Sequence, residues 1–216
     1  MFIKCEYGRM SHNHIMNAKS IMLLMGNPRK KEALQRAIDS HNPKLDIIFD
    51  IKKIWLPEIQ ENDIRKVAMF AVEYGAEKIG LPAIKMDTGM FVNGLNGFPG
   101  AFVNDIDEKI GVLGFIDMCR NFRDRSAHIT TALAYCEPGK KVEVFHSTIK
   151  GEIVREILPG EGSFIDKVFI PHHQKNKGLK TMGEIRKENP ELLDKVWGST
   201  EKKFIDWLAK REANNR

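Results

Sequence analysis

Ile21-Met22-Leu23-Leu24-Met25 is a short apolar run that stops at Gly26-Asn27-Pro28, the pattern of a buried strand closing in a tight turn. Pro28 suits the first turn of a helix, where a missing N–H is no loss, and Ala33, Leu34, Ala37 and Ile38 then share one helical face. Leu45 to Ile51 reads as a second strand, and apolar residues recur at helical spacing from Asp63 to Tyr74. The first part of the chain therefore alternates strand and helix.

The pattern changes after Glu77. Ile79 to Lys85 is a broken apolar stretch, and Gly89, Gly94, Gly97 and Gly100 with Pro99 predict a long glycine-rich loop of the kind that carries function. Ile106 to Arg120 predicts a helix. Ser126 to Cys136, Lys141 to Thr148 and Glu152 to Leu158 predict antiparallel strands, with Glu137-Pro138-Gly139 as a turn. Met182 to Glu188 and Glu191 to Arg211 return to helix on either side of Pro190, the latter with Leu192, Val196, Phe204 and Leu208 on its inner face. The expected architecture is α/β: a mixed central sheet flanked by helices, forming two lobes with an active-site cleft between them. It occupies residues 20–216 as one unit, behind an N-terminal extension of residues 1–19.

Composition narrows the class. With 216 residues, 42% hydrophobic and 29% charged, the chain has the make-up of a globular protein rather than a disordered one. No apolar run approaches the roughly 20 residues of a membrane span, and the first residues lack the apolar segment of a secretory signal. Cys5, Cys119 and Cys136 are odd in number and widely spaced, which points away from a disulfide framework or a zinc site and toward the cytoplasm. The net charge of +5 suits a protein that handles polyanions, but much of it sits at the chain end, in Lys202, Lys203, Lys210, Arg211 and Arg216. No aromatic or basic motif of a nucleic-acid module accompanies it.

Candidate chemistry concentrates at a few positions. Met25-Gly26-Asn27-Pro28-Arg29-Lys30-Lys31 lies at a strand-to-helix turn, where glycine lets the backbone approach an anion, helix N–H groups face it and a lysine adds charge. Glu58 and Asp87 each end an apolar segment. In a parallel sheet they would lie near that turn, as a carboxylate pair for a divalent cation beside phosphate. Other readings stay open: a solvent-facing Glu58, and Asp87 as a cap of the loop that follows. Lys66 and Lys195 fall on predicted helices as further phosphate or base contacts. His172 and His173 are adjacent on a strand, point to opposite faces and take no assigned role.

These segments, in order, resemble the inosine-triphosphatase family of purine NTP pyrophosphatases from about Ile21 to Leu208. Met25-Gly26-Asn27-Pro28-Arg29-Lys30 is similar to the family's Thr/Ser-Gly-Asn-x-x-Lys turn, and Leu56-Pro57-Glu58 to its Leu-Pro-Glu segment. Asp87-Thr88-Gly89-Met90 with Leu95-Asn96-Gly97-Phe98-Pro99-Gly100 looks like its Glu-Asp-Ser/Thr-Gly-Leu loop and Leu-x-Gly-x-Pro-Gly continuation. Asp124-Arg125-Ser126-Ala127 and Thr181-Met182-Gly183-Glu184 match two further segments.

The resemblance implies hydrolysis of an NTP or dNTP to the monophosphate and pyrophosphate by a homodimer that uses magnesium, or manganese. It implies Glu58 and Asp87 as metal ligands, Asp87 as activator of the attacking water, and Gly26, Asn27, Lys30 and Lys66 around the triphosphate with Thr88 beside them. Lys30 joins Asp87 as a catalytic candidate.

Several positions depart from the family pattern. Its second acid before the loop aspartate is Met86, and a lysine is Asn104. Its aromatic base-stacking segment becomes Gly162-Ser163-Phe164-Ile165-Asp166-Lys167, which leaves Phe164 and Asp166 as the candidate contacts. Its Lys-x-x-x-Ser-His-Arg becomes Lys195-Val196-Trp197-Gly198-Ser199-Thr200-Glu201. Glu201 replaces a donor with an acceptor, which predicts a base preference turned away from inosine and xanthine. The same departures allow an alternative, a nucleotide-binding homologue without catalysis.

Overall fold

A parallel βαβ beginning sets the frame. The computed structural model describes residues 19–24, 28–41, 45–156, 162–172, 180–189 and 199–214. In it β1 (Lys19–Leu23) leads to α1 (Pro28–His41), β2 (Ile47–Ile51) and α2 (Ile64–Ile79). Residues 1–18 of the expected extension lie outside the described residues, and Lys19 already belongs to β1. Helix α2 outlasts the run to Tyr74 because Gly75 serves packing: a Cβ there would press on Leu24 and Leu56 side chains. The helix stops at Gly80, whose left-handed φ of 68° lets its N–H reach Ala76 O.

At the other end Asp63 caps α2 by accepting from Arg65 N at 3.0 Å. Asp63→Ala is expected to lower stability by about 1 kcal/mol, read as a shift in the urea midpoint. The Arg65 guanidinium on Asp63 holds its carboxyl well below the usual range, at about 2. A depressed carboxylate pKa contributes above the ordinary value and loses its contribution as pH falls through the folded one. The gap between wild type and variant should therefore narrow from pH 4 toward pH 2.

The chain continues through β3 (Ala83–Val92), β4 (Pro99–Gly100), α3 (Val103–Lys109), α4 (Gly111–Cys119), β5 (Ser126–Cys136) and β6 (Glu143–Ile153). It closes with α5 (Phe164–Val168), β7 (Phe169–Pro171), α6 (Met182–Glu188) and α7 (Ser199–Asn214). The strands form one seven-stranded sheet in the order β2-β1-β3-β5-β6-β7, with β4 alongside β3. β1 pairs in parallel with β2 and β3, and the remaining pairs are antiparallel. This is the mixed sheet that the pattern predicts.

Three expectations need correction, each at a glycine. Asp87-Thr88-Gly89 is not loop but the middle of β3, in unbroken register with β5 from Ala83 opposite Cys136 to Val92 opposite Ala127. Gly89 is there for close approach, since a Cβ would lie 2.9 Å from Gly100 O. The single helix from Ile106 to Arg120 divides into α3 and α4 around Ile110, because the left-handed φ of +71° at Gly111, the first residue of α4, breaks the continuous right-handed run. The strands foreseen on either side of Lys150-Gly151 are one strand, β6, because the missing side chain of Gly151 admits β7. A Cβ there would fall within 2.8 Å of Phe169 Cε2 and closer still to Ile170 O. Of the last predicted helix, residues 191–198 lie outside the described residues.

Packing divides the sheet into three apolar regions. Helices α1 and α7 cover one face beside β1, with Leu34 and Phe204 against Ile21, Met86 and Leu133. Helix α2 covers the opposite face, with Ala68 and Val72 against Leu24, Ala132 and Ala134. The far ends of β3, β5 and β6 carry a separate core with the shorter helices, including Met90, Ile129, Ile149, Phe115 and Phe164. Two lobes thus share the long strands. Among the described residues no helix is long and apolar enough to cross a membrane.

Candidate active site at the end of strand β1

The connection β1-α1-β2 leaves β1 in one direction, and β2-α2-β3 returns past it in the other, so α1 and α2 lie on opposite faces. The place where such connections part, here the carboxyl end of β1 beside β3, is where α/β sheets commonly bind ligands. Strand β1 gives out here while β3 continues. Met22 N donates to Pro82 O and Leu24 N to Ile84 O, both at 2.9 Å. The next carbonyl in that row is Met86 O, and the Lys30 ammonium donates to it at 2.6 Å. A side chain from the first turn of α1 thus takes the place of the strand that ended.

Charge gathers around that ammonium. Burial pushes the Lys30 pKa down, and Lys85 adds to the effect, whereas the Asp87 and Glu201 carboxylates oppose it. Alternation along β3 places Lys85 and Asp87 on the α2 face, where the Lys85 ammonium holds Asp87 Oδ1 at 2.8 Å. Asp87 Oδ2 is buried without a hydrogen-bond partner among the described residues. That is the state of a carboxylate oxygen suited to a cation that adds one or two carboxylates to phosphate oxygens and water. Among the described residues no group of three or more His, Cys, Asp or Glu side chains is placed to hold a metal ion.

On the other face a polar belt separates the two lobes. Thr88, Thr131 and Ser147 stand opposite one another on β3, β5 and β6. In each strand the belt residue lies between the two cores: Met86 and Met90, Leu133 and Ile129, Phe145 and Ile149. The Thr88 and Thr131 hydroxyls share a hydrogen bond at 3.3 Å. Thr200, fully buried at the start of α7, bonds to Ser147 Oγ and lies 3.5 Å from Thr131 O. This fixes the first turn of α7 over the cleft and encloses the next residue, Glu201, which is 3% exposed.

The structure therefore gathers Lys30, Asp87, Thr88 and Glu201 around the point where β1 ends and β3 runs on. Glu58 is exposed, on the segment between β2 and α2, and Leu56 of that segment packs into the Asp87-side core. Asp87 does not cap a loop. Lys66 is exposed on α2 and pairs with Glu61 at 3.1 Å, and Asn104 is exposed on α3. Phe164 is 3% exposed and stacks edge-on with Phe115, so it is a core residue rather than an open platform for a base. Asp166 is buried and committed locally, accepting from Ser163 N at 2.8 Å and pairing with Arg186 at 3.0 Å. Gly26, Asn27 and Lys195 lie outside the described residues.

Sequence reasoning missed Lys85, Thr131, Ser147 and Arg186.

A mixed sheet flanked by helices on both faces defines an α/β protein, and the lysines and carboxylate at its switch point are chemically suited to a polyanion. The profile of the Ham1 family matches residues 21–194, and the chain belongs to that family. A dITP/XTP pyrophosphatase of Methanosarcina mazei is 34% identical over 152 residues, 70% of this chain and 79% of that protein. One of Methanosarcina acetivorans is 36% identical over 113 residues, 52% of this chain and 61%, less than two thirds, of that protein's length. Among solved structures, a HAM1 protein from Coxiella burnetii superposes with a TM-score of 0.73 at 21% identity, covering 89% of this chain and 99% of the other. That likeness establishes the fold.

Proposed function

We propose that the chain is a nucleoside-triphosphate pyrophosphatase that hydrolyses purine NTPs or dNTPs to the monophosphate and pyrophosphate. The observation that carries this reading is Asp87 Oδ2, buried and without a partner among the described residues, beside two lysines at the switch point. Asp87, with Glu58 as the second carboxylate, would hold a divalent cation, magnesium before manganese. The chemistry such an ion supplies is neutralisation of phosphate oxygens and a lower pKa for bound water.

The chain's own residues supply the rest. Lys30 leaves Met86 O for a phosphate oxygen and meets the charge that develops on departing pyrophosphate. Asp87 orients the attacking water and accepts its proton as the bond between the α-phosphorus and the bridging oxygen breaks. The Thr88 hydroxyl, now bonded to that of Thr131, would supply a further phosphate contact. The homodimer of the family is the proposed assembly, checked by light scattering against the 24.7 kDa chain.

Lys30→Met should raise KM by roughly 10- to 100-fold, the loss of a charge-assisted bond of about 1.5–3 kcal/mol. Steady-state kinetics with the preferred nucleotide reads this, and an unchanged KM removes Lys30 from the site.

Inosine and xanthine nucleotides are the first substrates to test, since the Methanosarcina proteins are named for them. Glu201 is enclosed within electrostatic reach of Lys30, and two roles compete for it: balancing that ammonium, or reading the base and so turning preference away from inosine and xanthine. Pyrophosphate release across a panel of nucleotides separates the two. The names of the relatives and the proximity of Glu201 to Lys30 favour inosine triphosphate ahead of ATP and CTP, against the preference inferred from Glu201 in the sequence; the reverse order assigns Glu201 to the base. No release from any nucleotide, with binding retained, would favour the homologue without catalysis.

A further inference from the structure

Lys85 occupies a costly position. Its side chain is 17% exposed, in the middle of a sheet face otherwise lined by Ala83, Ala132 and Ala134 beneath α2, and lysine is seldom enclosed in this way unless paired. Its partner is Asp87 Oδ1 at 2.8 Å, while Oδ2 of the same carboxylate has none among the described residues. The small side chains of Ala132 and Ala134, opposite Asp87 and Lys85 on β5, leave room for the pair. A second ammonium, Lys30, stands within electrostatic reach, on the edge carbonyl of the residue between them. Two ammonium groups thus flank one carboxylate at the open end of β1.

We propose that Lys85 is a further substrate-positioning residue of this site: it fixes Asp87 through Oδ1, leaves Oδ2 as the oxygen open to a cation, and presents a second ammonium to the phosphate chain. The inference rests on the pyrophosphatase reading given above. It follows from geometry and charge. An ammonium salt-bridged to a carboxylate competes with any cation that approaches the same carboxylate, so Lys85 weakens cation binding in the empty site. The same ammonium attracts a polyanion, so Lys85 strengthens phosphate-chain binding. A side chain that merely filled space would shift both affinities the same way or neither.

The test uses the full chain as wild type, Lys85→Met and Lys85→Arg, with calorimetric titration of manganese alone and, separately, of inorganic tripolyphosphate alone. Lys85→Met should bind manganese several-fold more tightly and tripolyphosphate roughly 10-fold more weakly, opposite shifts that a damaged fold does not produce. Lys85→Arg keeps the charge and should hold tripolyphosphate within a factor of about three of wild type. Unchanged or parallel shifts in Lys85→Met overturn the proposal while leaving the pyrophosphatase reading in place. Wild-type protein that binds neither probe overturns both.

Discussion

Asp87→Asn is expected to reduce pyrophosphate release by roughly 10²- to 10⁴-fold in kcat, the range for loss of a positioned general base. The exchange keeps the shape of the side chain and removes its charge, so both the open Oδ2 and the counter-charge to Lys85 are lost. A stability change must be separated from the catalytic one, because an unpaired ammonium in a half-buried site is destabilising. The double variant Asp87→Asn with Lys85→Met removes that ammonium as well. Its thermal midpoint should return toward wild type while its kcat stays at the Asp87→Asn level. Release by Asp87→Asn at the wild-type rate would show that another group activates the water.

The residue types of this site were visible in the sequence, but their arrangement depended on strand pairing. Lys30 and Asp87 stood out because each ends a recognisable segment. What concealed Lys85 was the glycine at position 89: it made Asp87-Thr88-Gly89 look like the start of a loop, and a loop has no alternating faces on which to pair Lys85 with Asp87. Only the continuous register of β3 with β5 establishes that alternation, and Gly89 belongs to it because Gly100 approaches there. The polar belt was hidden for a similar reason. Thr88, Thr131 and Ser147 are far apart in the chain, and no local signal puts them opposite one another. Phe164 shows the converse limit. An aromatic residue in a motif meant for base stacking is indistinguishable in sequence from a core aromatic, and contact with Phe115 decides the matter. Periodicity succeeded where one element settles its own ends, as at α6, whose cap Thr181 and partner Glu184 satisfy each other's backbone.

Arg125→Met is expected to cost about 3–6 kcal/mol, since it leaves three carbonyls in a buried region without their donor. Arg125 is 7% exposed and faces no carboxylate at bonding distance among the described residues. Its Nε donates to Ile153 O at 3.0 Å, one terminal nitrogen donates to Cys119 O at 2.6 Å, and the other to Val154 O. Its own carbonyl accepts from Ile153 N at 2.9 Å. One side chain therefore joins the end of α4, the start of β5 and the end of β6, which together frame the lobe away from Lys30. Burial lowers its proton affinity, yet a guanidinium stays charged far above neutral pH, so the carbonyl dipoles are what compensate it. With roughly 5–15 kcal/mol holding a domain together, such a loss should lower the melting temperature by about 10 °C or more. Arg125→Lys should recover less than half of it, because one ammonium lacks the rigid fork that reaches three acceptors. Below the new melting temperature, KM for the nucleotide should stay near wild type, since the Asp124-Arg125-Ser126-Ala127 motif then supports the lobe instead of touching substrate. A variant that melts like wild type but loses nucleotide affinity would reverse that assignment and move Arg125 into the site.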